Sequence, residues 1–142
     1  MARFFDIDDA NEALPELRTI LATLRDERTQ LIALRDEFAR QTTPADRGSG
    51  GPESGEPSEL GEERRRLRLR MQGVIDQMQA GVARIDELGV TLREIETGLI
   101  DFPALVSGRQ VWLCWRLGEG DVEWWHELSD GFGGRQPLAE LV

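Results

Sequence analysis

Residues 7–41 read IDDANEALPELRTILATLRDERTQLIALRDEFARQ and repeat apolar side chains at the spacing of an α-helix. At 1.5 Å per residue this run predicts a helix of roughly 50 Å. Asp6 is a good N-cap, so the predicted first helix covers residues 6–41. Pro15 should kink this helix or restart it, because proline lacks the backbone N–H. The apolar stripe consists of Leu14, Leu17, Leu21, Leu24, Leu31, Leu34 and Phe38.

A second amphipathic run follows a segment of very different composition. Residues 42–58 are dominated by Gly, Pro and Ser, which predicts a flexible linker. Residues 59–89 then predict a second helix, for which Gly89 is a natural stop. Two amphipathic helices joined by a flexible linker should fold back on each other as an antiparallel hairpin. The apolar positions of the second helix are Leu67, Met71, Val74, Ile75, Met78, Val82, Ile85 and Leu88.

The last part of the chain, residues 90–142, has the pattern of a β region with a glycine-rich C-terminal loop. Thr97-Gly98 and Ser107-Gly108 have the composition of turns between strands. The sequence therefore predicts an α+β fold: a long antiparallel two-helix hairpin packed on a small antiparallel β-sheet of three to five strands. We expect residues 1–142 to form a single domain, because this length is enough for one core.

The clearest strand pair joins residues 111–117 to residues 122–128. If the intervening turn is symmetric, Trp115 lies opposite Trp124, and Cys114 and His126 point to opposite faces of the sheet. A bulge of one residue would exchange the faces of one strand. The register of this pair therefore decides whether the two side chains can meet.

Several segments of the chain together resemble a known family. One lies near the N-terminus, and the others are distributed through the β region. They resemble the uncharacterised bacterial family filed as domain of unknown function 2203, over nearly the whole chain outside the linker. The resemblance implies a single-domain bacterial protein with no established activity, and it indicates no catalytic residues. The segments are DDANEALPEL (8–17), GLIDFP (98–103), LCWRLGE (113–119), WH (125–126) and GRQP (134–137).

The composition excludes several classes of function. The formal net charge of −10 repels nucleic acid and anionic lipid, so we expect neither nucleic acid nor membrane as a partner. All 17 basic residues are arginine, which excludes Schiff-base chemistry and a lysine-type phosphate loop. Cys114 is the only cysteine, so no intrachain disulfide can form. The first residues reach acidic side chains at once, and we therefore expect no signal peptide and a cytoplasmic protein.

Cys114 and His126 are the first candidates for chemistry, as metal ligands or as a nucleophile with its base. Both kinds of chemistry need the two side chains to converge. A tetrahedral zinc site would also need carboxylates, for which Asp101 and Glu127 are available. The commoner structural explanation is a small buried thiol and a hydrogen-bonded core histidine.

Charged side chains among the tryptophans and glycines of the β region are the second candidate. In the symmetric register Arg116 lies opposite Glu123, and Asp101 and Arg135 would complete a network. Such a network could hold the C-terminal loop on the sheet, or it could bind a small anion or a partner's charged side chain. The candidate binding residues are Asp101, Cys114, Arg116, Glu119, Glu123, Trp125 and Arg135.

For function, these patterns favour a non-catalytic binding or scaffold protein that acts through its helical hairpin. The apolar stripe between Leu14 and Leu24 is wider than one partner helix needs, which predicts self-association as a homodimer. A further protein partner is compatible with the hairpin, and no cofactor is implied. The alternative is a small metal- or anion-binding module, or an enzyme, that uses the polar residues of the β region.

Overall fold

The computed structural model describes residues 3–41 and 59–141, so the predicted linker at 42–58 lies outside the described residues. Helix α1 spans Ile7–Gln41 and helix α2 spans Glu59–Glu87. A five-stranded antiparallel sheet follows, which confirms the predicted α+β fold of two helices on a small sheet. Its strands are β1 (Thr91–Glu94), β2 (Leu99–Val106), β3 (Arg109–Arg116), β4 (Trp124–His126) and β5 (Gln136–Pro137), with 3₁₀ helices at Phe132–Gly134 and Leu138–Glu140.

Helix α1 begins as the sequence predicts, with Asp6 as its N-cap. The backbone N–H of Asp9 donates to Oδ1 of Asp6 at 2.6 Å. The helix then runs through Pro15, so a restart at this residue, one of the two expected outcomes, is wrong. Proline removes a single helical hydrogen bond, whereas Leu14 and Leu17 on either side of it are at most 1% exposed, and their burial holds both turns in the helix.

Helix α2 ends in a Schellman motif. The N–H of Gly89 donates to the carbonyl of Asp86 at 2.9 Å, and the N–H of Val90 donates to the carbonyl of Ile85 at 3.2 Å. Gly89 has a φ of +81°, which glycine adopts without steric cost. Both Val90 and Ile85 are buried, so the motif also closes an apolar contact at the helix end.

The described residues form two compact units, one made of the parts within Met1–Asp26 and Ala80–Val142 and the other within Glu27–Gln79. In the first unit, Arg84 of α2 donates to Glu16 of α1 at 2.8 Å. In the second, Arg64 of α2 donates to the carbonyl of Gln41 at 2.6 Å. Each contact pairs an early residue of one helix with a late residue of the other, as an antiparallel hairpin requires. The core of the second unit consists of Leu34, Leu67 and Val74, with Leu31, Phe38, Met71 and Met78 packed against it.

The sheet is a meander in which each strand pairs with the next one along the chain. Ser107 and Gly108, with φ of 53° and 78°, form the two-residue turn between β2 and β3, as the sequence predicts. Gly98 precedes β2 with a φ of +67°, and a Cβ at this position would lie 2.5 Å from Cβ of Leu117. Both predicted turns are therefore present, and Gly98 allows the chain to pass close to Leu117.

The symmetric register predicted for β3 and β4 is wrong by one residue. Trp112 pairs with His126 and Cys114 with Trp124. The connection is asymmetric because Glu119 closes a tight turn on Arg116, with its backbone N–H on the Arg116 carbonyl (3.0 Å) and its carboxylate on the Arg116 N–H (2.7 Å). As a consequence, Cys114 and His126 lie on the same face of the sheet.

The other face of the sheet packs on the helices of the first unit. Arg18 of α1 lies over the Trp115 ring at 5.5 Å, and Asn11 accepts the backbone N–H of Val122 at 2.7 Å. Seven side chains of this face are buried: Ile100, Phe102, Ala104, Val111, Leu113, Trp115 and Trp125. Neither helix in the described part of the chain has the combination of length and apolar character that crossing a bilayer requires.

Candidate metal centre

Three side chains with metal-ligand chemistry converge on the sheet face opposite α1. Asp101 of β2 pairs with Cys114 of β3. His126 of β4 pairs with Trp112, which is the next residue of β3 on the same face as Cys114. One carboxylate oxygen, the thiol sulfur and one imidazole nitrogen all lie within 4.8 Å of one another. Each of the three residues is at most 2% exposed. The antiparallel register of three adjacent strands therefore brings together residues that are far apart in sequence.

The two oxygens of the Asp101 carboxylate have different surroundings. Oδ2 accepts a hydrogen bond from Nε of Arg93 at 2.8 Å and lies 3.1 Å from Nε2 of His126. Oδ1 is buried and has no hydrogen-bond partner among the described residues. A buried carboxylate oxygen without a partner is costly, so this atom requires a ligand or a proton donor.

Both ring nitrogens of His126 face oxygen atoms that accept hydrogen bonds. Nδ1 lies 2.9 Å from the carbonyl oxygen of Glu127, and Nε2 faces the Asp101 carboxylate. A neutral imidazole has one N–H, so Nδ1–H on the carbonyl leaves the lone pair of Nε2 directed at the carboxylate. A proton shared between Nε2 and Asp101, or a cation bound by both, resolves this conflict.

The thiol of Cys114 is held in its neutral form. Its pKa is raised to about 12, mainly by burial and also by the negative charge of Asp101 and a hydrogen bond to the Asp101 carboxylate, while the positive charge of Arg135 acts in the opposite direction. A thiol with this pKa is a poor nucleophile at neutral pH, because the thiolate is the reactive species. The arrangement is therefore unlike that of a catalytic cysteine, whose thiolate is stabilised by its surroundings.

Arginine and aromatic side chains surround the three residues. The Arg93 guanidinium lies 4.8 Å from the centre of the Trp112 ring, and the Arg135 guanidinium lies 4.8 Å from the centre of the Trp124 ring. Trp112 and Trp124 are the direct strand partners of His126 and Cys114. These stacked pairs flank the cluster on its own face of the sheet.

The other predicted binding residues separate into two groups. Arg116, Glu119 and Arg135 come together, because the Glu119 carboxylate accepts hydrogen bonds from the backbone N–H of Arg116 and from Nη2 of Arg135. Glu123 is exposed, and among the described residues it forms no ion pair with Arg116, so that predicted pair is wrong. The one-residue change of register explains this, because it moves Glu123 away from the position opposite Arg116.

Trp125 and Glu127 also differ from the expectation. Trp125, a candidate binding residue, belongs to the face that packs on the helices, and Trp124 lies on the face of the cluster instead. The carboxylate of Glu127 pairs with Arg109, and it is the Glu127 backbone carbonyl that contacts His126. Of the two carboxylates considered as ligands, Asp101 is therefore the one in place.

Sequence reasoning did not identify Arg93, which makes the shortest ion pair to Asp101, at 2.8 Å. Arg93 lies in β1 at a β-bulge, between the paired residues Leu92 and Glu94. Alternation along β1 puts Arg93 on the same face of the sheet as Thr91, the strand partner of Asp101, but no local sequence pattern shows that β1 pairs with β2 in this register. The one sequence feature that could have indicated this contact is the presence of an arginine in β1, the strand before the one that holds Asp101.

The fold and this cluster define a small α+β protein with a buried constellation of carboxylate, thiol and imidazole. The chain matches the family model described as uncharacterized conserved protein (DUF2203) over residues 3–138, and it belongs to that family. Comparisons with curated proteins and with solved structures found no match. The resemblance seen in the sequence is thus confirmed, and the chemistry of the site has to be argued from its geometry.

Proposed function

We propose that the protein is a zinc-binding module whose ligands are Asp101, Cys114 and His126. The observation that carries the proposal is the convergence of three different donor types within 4.8 Å, at a site where each residue is almost fully buried. Buried polar groups are expensive unless they are paired or coordinate a metal. This proposal corresponds to the metal-binding alternative derived from the sequence.

A zinc ion would satisfy the groups that are in conflict within the cluster. It would accept the Nε2 lone pair of His126, which the Nδ1 contact with the Glu127 carbonyl directs inward. It would take Oδ1 of Asp101 as a ligand while Oδ2 keeps its hydrogen bond with Arg93. Hydrogen bonds of this kind, from the non-coordinating side of a ligand, orient the ligands of natural zinc sites.

The donor set selects the metal. Sulfur, imidazole and carboxylate together suit Zn²⁺, whereas Mg²⁺ and Ca²⁺ prefer oxygen ligands alone. Zn²⁺ also displaces the proton of a coordinating thiol, so the neutral state of Cys114 is no obstacle. Three protein ligands leave one tetrahedral position for water or another ligand.

Metal analysis tests this proposal directly. Protein purified without a metal-affinity tag should contain close to one zinc per chain, measured by elemental analysis and by native mass spectrometry. Replacing the zinc with Co²⁺ should give the near-ultraviolet charge-transfer band of a thiolate–cobalt bond. Cys114→Ser should remove that band, and His126→Asn should weaken metal binding at least tenfold, because each removes one of three ligands.

The exposed carboxylate Asp121 provides a matched control in the same unit. Asp121→Asn should bind zinc as the wild type does, whereas Asp101→Asn should bind it more weakly. Metal-free protein that gains no metal from a zinc or cobalt titration, while its circular dichroism spectrum remains native, would exclude the proposal.

The scaffold role favoured by the sequence is a second proposal, with self-association of the hairpin as its basis. One observation favours it: the second unit has an apolar groove of about 430 Å³ lined by Leu31, Ile32, Met71 and Ile75, with Arg28 and Arg35 beside them. The wide apolar stripe between Leu14 and Leu24 no longer supports self-association. Its leucines are already buried within one chain: Leu14, Leu17, Leu21 and Leu24. Sedimentation equilibrium of wild type and Ile75→Glu tests it, and a monomeric wild type at all concentrations contradicts it.

A further inference from the structure

Arg135 lies in an unusual setting next to the proposed zinc site. Its guanidinium lies over two aromatic rings, 4.8 Å from the centre of Trp124 and 4.6 Å from that of Phe132. Its side chain is only 10% exposed. A largely desolvated guanidinium that stacks on aromatic rings presents its N–H groups at its edge, and that edge is suited to a planar or tetrahedral oxyanion.

The carboxylate of Glu119 pairs with only one of the two nitrogens on this edge of the Arg135 guanidinium. Both of its oxygens lie 2.8 Å from the same terminal nitrogen of Arg135, Nη2. Nε of Arg135 is buried and has no partner in the described part of the chain. A fork-to-fork pair would instead place one oxygen on each of two nitrogens. Glu119 is therefore a suboptimal partner, because its attachment to the tight turn restricts where its carboxylate can reach.

Further donors are available at the same place. The backbone N–H of Arg116 donates to the Glu119 carboxylate at 2.7 Å. The Arg116 guanidinium lies 4.9 Å from the centre of the Phe132 ring, on which Arg135 also stacks. Two guanidinium groups thus share one aromatic ring in a chain whose net charge is −10. This local concentration of positive charge favours an anionic ligand.

We propose that Arg135 is an oxyanion-binding residue at which a small carboxylate or phosphate takes the place of the Glu119 side chain. The incoming anion accepts hydrogen bonds from Nε and Nη2 of Arg135, and it satisfies the donor that Glu119 leaves unpaired. The Glu119 side chain rotates away in this exchange while the backbone next to it stays in place, because the adjacent Gly120 carbonyl accepts hydrogen bonds from Trp115 at 2.8 Å and from Arg18 at 3.1 Å. The proposal does not depend on zinc.

Anion titration of the metal-free protein tests this inference apart from the zinc proposal. Sodium phosphate and sodium acetate are added to chelator-treated protein at constant ionic strength, with chloride as the reference salt. Binding is followed by the NMR signal of the Arg135 Nε–H and by tryptophan fluorescence, to which Trp124 is one of four contributors. A saturable shift with phosphate indicates a phosphate ligand, and one with acetate indicates a carboxylate ligand.

Glu119→Gln distinguishes anion exchange from a purely structural ion pair. Removing the internal competitor should tighten anion binding about tenfold or more, since a charge-assisted pair no longer has to be broken. Arg135→Lys should lose most of the binding, because an ammonium group cannot make the bidentate contact. The matched control is Glu127→Gln, which removes the carboxylate partner of Arg109 and should leave anion binding unchanged.

The outcomes are decisive even if a variant fails to fold. A wild-type protein whose Arg135 Nε–H signal does not move with either anion, and a folded Glu119→Gln variant that also binds none, show that the pair is structural. Equal affinity in wild type and Glu119→Gln overturns the exchange. Should Glu119→Gln unfold, the wild-type titration alone decides whether the oxyanion site exists.

Discussion

The neutral thiol of Cys114 makes zinc binding dependent on pH. Its pKa of about 12 means that the ion must displace a proton at any physiological pH. Because the free thiol is protonated below that pKa, the apparent zinc affinity should rise with pH, by up to about tenfold per pH unit from this group alone.

Competition with a chromophoric chelator between pH 6 and pH 8 measures this dependence. Calorimetry in two buffers of different ionisation enthalpy counts the released protons. An affinity that stays constant over this range would show that Cys114 is not a ligand.

Asp101 should be important for stability even without metal. Its side chain is only 3% exposed, and its carboxylate contacts both Arg93 and His126. Asp101→Asn keeps the shape but removes the charge, and we expect it to lower the free energy of unfolding by about 2 kcal/mol. Urea unfolding of chelator-treated protein measures the change, with Asp121→Asn as the exposed control. Equal stability of the two variants would show that this ion-pair network contributes little.

For individual residues, the sequence predicted which side chains belong to the candidate site better than it predicted their contacts. Cys114 and His126 were identified because each is the single residue of its kind in this chain, and Asp101 because it is a charged residue in the Trp- and Gly-rich β region. Arg93 was missed because its contact with Asp101 depends on how β1 pairs with β2, which no local pattern marks. The cross-strand pair of Arg116 and Glu123 was wrong because it depended on the strand register.

Among the elements, the turn before β2 makes the most specific demand on its residue. Gly98 has a positive φ, and a Cβ there would lie 2.5 Å from Cβ of Leu117. Gly98→Ala should lower the free energy of unfolding by about 2–3 kcal/mol, since backbone strain and a clash act together.

Gly108→Ala is the matched control, because Gly108 also has a positive φ, of +78°, but open space where the Cβ would lie. It should cost about 1 kcal/mol, from the strain alone. Denaturant unfolding compares the two variants. An equal loss in both would mean that Leu117 moves aside without cost.

The elements themselves were largely predictable. Helical periodicity, the Asp6 cap and the Gly89 stop indicated both helices, since each signal is local. The register of β3 and β4 was not predictable, because Glu119 folds back on Arg116 and makes an asymmetric connection. A contact between a side chain and the backbone three residues away leaves no mark on hydrophobic alternation.

For the molecule as a whole, zinc should act as a stabilising ligand. An ion that binds only the folded state adds RT ln(1 + [Zn]/Kd), or about 2.7 kcal/mol at 100 times Kd. For a chain of this length, that corresponds to a rise in Tm of roughly 5–10 °C. Differential scanning calorimetry of wild type with increasing zinc measures this rise, and Cys114→Ser should show little of it. A wild-type Tm that is insensitive to zinc would argue against a site formed by folding.

The meander order of the sheet has a consequence for how the chain folds. Pairing neighbours in sequence closes only short loops, so β2 and β3 can join early, around the turn at Ser107 and Gly108. The bridge between Phe5 and Ala104 instead closes a loop of about a hundred residues. We therefore expect the β2–β3 hairpin to be formed in the folding transition state and the segment at Phe5 to dock after it. Truncations such as Val111→Ala would then slow folding, whereas Phe5→Leu would mainly accelerate unfolding.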